Sequence, residues 1–207
     1  MGNSLCKDFE GTRPATRKLT VWGDIVNADT RAILSVCLIC NLDYDFEQIS
    51  TLHEEHKRNQ EFLAVSPIED VPVLTEGSYK IISGPVHFMT YLCSTRDLVK
   101  NKLYPKDCER KINIHISWFQ NKLRPHSGRL IKILMRKSQE LRGDLSKETP
   151  RGGQRQSFNI SPANIEYEVE LLLKLLENLD KELTNQKYFG EVLSIADLLY
   201  YAEISTL

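Results

Sequence analysis

The segment Val71-Pro72-Val73-Leu74 constrains this chain more than any other. Its apolar residues read as a strand, yet Pro72 has no N–H to give to a ladder, so the strand starts beside it or lies at an edge. A proline in such a place often follows a cis peptide bond, which is usually kept for a purpose. Before it runs a proline-broken loop, Ser66-Pro67-Ile68-Glu69-Asp70. After it, Tyr79–Ile82 closes a hairpin about Glu76-Gly77, and Pro85–Cys93 is helical.

The rest of the first half builds around that hairpin. Lys18–Trp22 reads as a short strand and Gly23–Asp29 as a turn. Thr30–Cys40 carries the helical pattern Ile33, Leu34, Val36, Cys37, Cys40, while Tyr44, Phe46 and Ile49 alternate as a strand does. A polar helix over Glu54–Phe62 follows. This order, βαβ and then αββα, is the thioredoxin-like pattern.

After Lys102 only helix is expected. Lys106 to Arg142 is one long amphipathic stretch, with an interruption near Pro125 and Gly128. Ile165–Leu183 is apolar along Val169, Leu172, Leu173, Leu176, Leu179 and Leu183. Ser194-Ile195-Ala196-Asp197 is a capping box that starts the last helix, with Leu193 and Leu198 as its staple. The expected fold class is α/β followed by all-α: a thioredoxin-like unit over 18–95 and a helical unit over 103–207. A flexible extension (1–17) precedes them, and a Gly/Pro/Ser-rich insertion, disordered in character, spans 143–162.

The 207 residues suffice for a real core, and the net charge is only −1. That charge is uneven. Basic residues dominate from Lys102 to Arg155, and acids such as Glu166, Glu168, Glu170, Glu177, Asp180 and Glu182 dominate afterwards. No nucleic-acid recognition motif accompanies the basic stretch, so complementary helical faces or an acidic partner explain it better. Five cysteines without secreted-scaffold spacing indicate a reducing compartment. No apolar run approaches the ~18–20 residues of a membrane span. A cytoplasmic protein is expected, with a place in a larger assembly as an extension of that reading and a membrane anchor only through the N-terminus.

The Val71-Pro72 and Ser194–Asp197 features, in this order, resemble the glutathione transferase superfamily. The resemblance covers nearly all of residues 18–207. Arg31-Ala32, Tyr104-Pro105 and Trp118 make it most similar to the theta-like branch. It implies a two-domain fold, a dimer, and glutathione as ligand or co-substrate, with no other cofactor and no metal. The resemblance also implies a glutathione site in three parts, and each departs from the family pattern. Theta-like enzymes carry a serine four residues before the arginine of the Arg-Ala pair, where its hydroxyl favours the thiolate. That position here is Asn27. Its amide can donate to a thiolate, as can the helix N-terminus, and Thr30 is the nearest hydroxyl; the residue equally fits a turn or cap. No tyrosine ends the first strand.

The γ-glutamyl clamp of the family, Glu-Ser or Gln-Ser before the third helix, is replaced by Ser83-Gly84-Pro85. Ser83 serves if one residue is inserted; otherwise the pair is Gly84-Pro85. The partner for the substrate ammonium is missing in both registers. Before the proline, where the family places a basic or amide residue against the glycyl carboxylate, stand Glu69-Asp70. Two such anions oppose that carboxylate by about 1 kcal/mol each. The backbone contact of Val71, set by Pro72, is retained.

Further candidates carry less specific signals. Cys37-Leu38-Ile39-Cys40 matches a redox spacing but lies two turns into a helix on its apolar side, which indicates core thiols. His53 and His56 sit with Glu54 and Glu55 on a solvated face, without further ligands for a metal. His115, Trp118 and Phe119 either line a pocket for a hydrophobic substrate or pack in the core. Met1-Gly2-Asn3-Ser4-Leu5-Cys6 resembles an acylation start, with Gly2 and Cys6 as lipid acceptors and Cys6 in place of the usual hydroxyl. The expectation is a glutathione transferase-like protein with weak or absent catalysis and weak or absent glutathione binding, acting as a binding or structural subunit. The alternative is an active theta-like enzyme conjugating glutathione to electrophiles. The apolar tail Leu198–Ile204 adds an expected uncovered face for a homodimer or larger assembly.

Overall fold

The computed structural model describes residues 18–82, 84–141 and 162–207. The expected extension with Gly2 and Cys6, Ser83, and the insertion up to residue 161 lie outside the described residues. Pro162, read as insertion, already opens a helix.

Strand β1 (Leu19–Gly23) buries Leu19, Val21 and Gly23 on one face and sits in the middle of a four-stranded sheet. It pairs in parallel with β2 (Tyr44–Gln48), through Val21 opposite Phe46, and antiparallel with β3 (Val73–Glu76), through Val21 opposite Leu74. β4 (Tyr79–Ile81) completes the order β2-β1-β3-β4. Pro72 stands just outside the ladder, so its missing N–H removes no sheet bond. The β1–β2 crossover is helix α1 (Ala28–Ile39), whose Ala32, Ile33, Val36 and Cys37 enter the core. Helix α3 (Pro85–Thr95) lays Phe88, Met89 and Leu92 into the same core.

The polar helix expected over 54–62 is instead a 3-10 turn at Glu55–Lys57 and a separate helix α2 (Gln60–Val65). Asn59 makes the break, accepting from the N–H groups of Glu61 and Phe62 at 3.0 and 3.1 Å and so capping a new helix.

The second half is helical. α4 (Asp97–Leu103) and a 3-10 turn (Lys106–Cys108) lead to α5 (Glu109–Trp118). A π-helical segment, Phe119–Leu123, joins α5 to α6 (Arg124–Leu141). The interruption therefore precedes Pro125 and takes the form of a widened turn. Pro125 has no N–H for the carbonyl one turn back, and the wider turn accommodates that gap.

Helix α7 (Pro162–Leu183) buries Glu168, Leu172 and Leu179. Val169, Leu173 and Leu183, expected on its buried face, are exposed. Charge sets the rotation of α7 against α6: Glu168 is held by His126 Nδ1 at 2.9 Å and by Arg129 Nη1 at 2.6 Å. The basic and acidic stretches thus meet as complementary helical faces.

Helix α8 (Ile195–Ile204) begins as expected. Asp197 Oδ2 accepts from Ser194 N and Oγ at 2.9 and 2.6 Å, and its other oxygen accepts from Phe189 N at 3.0 Å. Gly190 is needed beside this cap, because a Cβ there would come within 2.9 Å of Ile112 Cγ1. α8 packs on α1, and one continuous core runs from Leu19 and Val21 through α1 and α5 to Tyr200. The sheet module and the helical module therefore share their interior.

Candidate functional site

The site lies where β1 ends, α1 begins and the loop before β3 arrives. These three segments meet tightly at Gly23. A Cβ on Gly23 would stand 2.5 Å from Thr30 Oγ1, 2.9 Å from Thr30 Cγ2 and 3.3 Å from Pro72 Cβ, so any side chain there collides. Thr30 is fully buried, and its hydroxyl has no hydrogen-bond partner among the described residues. The Val71–Pro72 peptide is cis. Val71 precedes the ladder, so its backbone lies outside the β3 pairing.

Buried Asp24 fixes the turn between β1 and α1. Its Oδ1 accepts from Val26 N at 3.2 Å and Gln48 Nε2 at 3.0 Å; its Oδ2 accepts from Thr51 N at 2.7 Å and Thr51 Oγ1 at 2.6 Å. Burial raises its pKa, but the hydrogen bonds from Thr51, Val26 and Gln48 outweigh burial and hold it below the ordinary carboxylate value. From the other side, Arg31 Nη1 donates to the carbonyls of Ile25 and Val26 at 3.2 and 2.8 Å, and Nη2 donates to the Ala202 carbonyl at 2.8 Å. The loop that carries Asn27 is thus tied both to the sheet and to the end of α8.

Asn27 is the N-cap of α1. Its Oδ1 accepts from Asp29 N at 2.8 Å and Thr30 N at 3.1 Å, which satisfies two of the first-turn donors. The amide Nδ2 has no partner among the described residues. The cap thus uses only the oxygen of the Asn27 side chain. Next to it, Arg124 grips buried Asp29 with both guanidinium nitrogens (Nη2–Oδ2 2.7 Å) and reaches Glu203 Oε2 at 3.0 Å. Glu203 also accepts from Ser127 Oγ. Burial pushes the Glu203 carboxyl above its usual range, against the pull of Arg124.

The second expected element comes to the same end of the sheet, because β4 runs antiparallel to β3 with Ile81 opposite Leu74, and Ile82 packs in one cluster with Val71 and Val73. Gly84 is the N-cap of α3 without a side chain to cap it, and Pro85 takes the first helical position. A Cβ on Gly84 would meet nothing within 4 Å. Glu69, with φ of 59°, and Asp70 are exposed on the loop before the cis peptide. The structure brings Asn27, Thr30, Val71, Pro72 and the start of α3 at Gly84 to one end of the sheet.

The remaining candidates find ordinary places. His115 and Phe119 are buried and Trp118 is half-buried around Tyr200, with ring centroids 6.3, 5.8 and 6.0 Å from it. Tyr200 Oη donates to the His115 carbonyl at 3.0 Å, so this trio belongs to the core. A groove of about 620 Å³ between α7 and α8 is lined by Tyr200, Leu183, Tyr201 and Ile204 among others, and by none of the trio. Cys37 and Cys40 are buried, and burial pushes the Cys37 thiol up to about 12, which leaves it unreactive. His53 and His56 lie in the turn after β2, off any α-helix. No three metal-capable side chains meet among the described residues. No described helix is long and apolar enough to cross a membrane.

Sequence reasoning missed Gly23, Asp24, Arg124 and Glu203 as parts of this region. A glycine closing a strand and an Asp three residues before an Asn cap were visible local signals. Arg124 had none, because its partner Asp29 lies 95 positions away.

No protein-family model matches the sequence, and no curated protein matches it. Solved structures do. Glutathione transferase F7 from Populus trichocarpa superposes with a TM-score of 0.69 at 20% identity, over 91% of this chain and 82% of that one. Human glutathione-S-transferase T1-1 in its apo form gives 0.69 at 22% identity, over 91% and 73%. Human glutathione transferase theta-2, solved with glutathione and an unknown ligand, gives 0.69 at 17% identity, over 90% and 71%. At such identities the likeness is one of architecture: the chain has the fold of the glutathione transferases, a thioredoxin-like module followed by a helical one.

Proposed function

We propose that the chain is a glutathione transferase-like protein that binds a thiol peptide at the cis-proline end of its sheet. It has weak or absent conjugating activity and serves as a binding or structural subunit of a larger cytoplasmic assembly. The observation that carries this is the state of Asn27. A thiolate is stabilised by donors aimed at it, yet the Asp29 and Thr30 N–H groups are closed by Asn27 Oδ1 and the Thr30 hydroxyl is buried. Gly84 adds no side chain to hold a carboxylate at α3. The division into units over 18–95 and 103–207 is part of this reading. Exposed Leu173, Leu183, Tyr201 and Ile204 on α7 and α8 favour the assembly role.

One observation favours the second reading, an active transferase. Asn27 Nδ2 is an uncommitted donor at the start of α1 and is able to hold a thiolate. Calorimetry with glutathione, paired with conjugation to a small aryl chloride, separates the two. The binding-protein reading expects weak affinity and a near-background rate that Asn27→Ala leaves unchanged. A robust rate that falls with Asn27→Ala overturns it.

A further inference from the structure

We infer that the groove between α7 and α8 is a docking site for an amphipathic helix of a partner protein, one whose apolar stripe is flanked by lysine or arginine. This deepens the assembly part of the reading above and rests on it. Helix α7 carries two stripes. One, through Glu168, Leu172 and Leu179, is buried against the rest of the protein. The other runs Val169, Leu173, Leu176, Asp180, Leu183, in steps of four, three, four and three that keep one line along a helix. Along it Leu173 is 55% exposed, Val169 37% and Leu183 36%.

Leu176, Asp180 and Leu183 of this second stripe form one wall of the groove, and Tyr201 and Ile204 of α8 stand in the other. Both α8 residues are exposed, Tyr201 to 64%. Two helices that turn apolar edges toward one trough make a seat for a third, whose side chains at three- and four-residue steps fill it. The chain already seats one helix on α7 in this manner. On the inner side, His126 and Arg129 of α6 hold Glu168 while Leu130 and Ile133 are buried beside them.

Charge selects the occupant. Asp180 interrupts the outer stripe, is exposed, and has no ion pair among the described residues. Glu170 and Glu177, also exposed, follow the stripe at the positions that face a partner's flank in paired helices. Glu170 is held only by Lys174 at 2.6 Å, in an exposed pair of little strength. The other charged groups in the groove are engaged: Asp197 caps α8, and Lys187 lies 5.2 Å from the centre of the Tyr188 ring. A helix with a cationic flank therefore finds carboxylates along its apolar contact. A second copy laid on this face would bring the same three acids against their counterparts, and an anionic lipid surface would be repelled by them.

The test is fluorescence anisotropy on the whole protein with two synthetic helical peptides of about three heptads. They share one leucine stripe and differ in their flanks, lysine in one and glutamate in the other. The lysine peptide is expected to bind about ten-fold or more tighter, with a gap that shrinks in about 0.5 M salt. In Glu177→Lys/Asp180→Lys the preference should reverse, and exposed Tyr201→Ser should weaken both peptides. Equal affinities, or a preference that the charge-swapped variant keeps, overturn the inference while leaving the groove as a docking surface and the assembly reading with it. Binding by neither peptide removes the docking site and the support it gives to that reading. A homodimer in sedimentation that Tyr201→Ser dissociates assigns the groove to a second copy and overturns the inference as well.

Discussion

Replacing Arg124 by Leu removes the cation that two buried carboxylates share. Asp29 is 8% and Glu203 2% exposed, and both oxygens of Asp29 face the guanidinium. Breaking a buried pair by deleting one partner costs about 3–5 kcal/mol, because the other charge stays buried. The Arg124 side chain is itself 35% exposed, and Ser127 still donates to Glu203, so the expected loss is about 2–4 kcal/mol. The loss should depend on pH. Glu203 already titrates above its ordinary value, and a carboxyl raised on folding makes the native state bind the proton more tightly. Its charge therefore destabilises the fold as pH rises through its native pKa, and that penalty vanishes below its unfolded value. Without Arg124 the native pKa rises further, so the deficit of Arg124→Leu grows as pH rises above the raised native pKa that Glu203 has with Arg124 in place. Urea midpoints at constant slope, measured across that range, read it directly. Arg124→Lys should lose less, since it keeps the charge and gives up the fork. Adding Asp29→Asn and Glu203→Gln to Arg124→Leu should recover much of the stability. A loss below about 0.5 kcal/mol, or a deficit flat with pH, refutes the reasoning.

Gly23→Ala should destabilise by about 2 kcal/mol or more through its collision with Thr30, and Thr30→Ala in the same chain should relieve most of this; thermal melts of the two variants decide. Asp24→Asn tests the depressed pKa of that carboxyl. In the native protein its contribution is present above the unfolded value of about 3.8 and lost as pH falls through the lower native value, so the variant should be less stable at pH 7 and show a smaller acid-induced loss in urea titrations. Gly84→Ser places its side chain in open space at the start of α3, so the melting temperature should hold or rise slightly while glutathione affinity improves by calorimetry. Alkylation of Cys37 and Cys40 by iodoacetamide should be slow in the native protein and fast in urea; rapid native labelling would place them outside the core.

Local chemistry was readable in the sequence and long-range chemistry was not. The cis proline, the hairpin after it, the Asn27 cap and the Ser194–Asp197 box each announce themselves within a few residues, and each appears where expected. Asn59 escaped notice because one polar residue splits a stretch whose composition is uniformly polar. The face of α7 was misjudged because apolar residues outnumber the buried positions, and the choice among them was made by Glu168 meeting Arg129 and His126 on another helix. The site shows the same division. Asn27 and Pro72 are legible as residue types, whereas the Asp29–Arg124–Glu203 bridge joins three segments that no periodicity links.

The π-helical turn at Phe119–Leu123 gives the long helix two faces with two destinations. Upstream, His115 and Trp118 look toward Tyr200; downstream, Arg124 and Ser127 look toward α1 and Glu203. One residue more or less in a helix turns everything beyond it by roughly 100°. The extra residue in this turn thus acts as a phase setting between the core and the ionic bridge. Point substitutions along 119–123 would preserve that phase, but loss of a single residue would swing Arg124 off Asp29 while leaving the aromatic packing upstream untouched. In a lineage of such chains, insertions and deletions within this short stretch, more than substitutions, would decide whether the helical half still holds the first turn of α1.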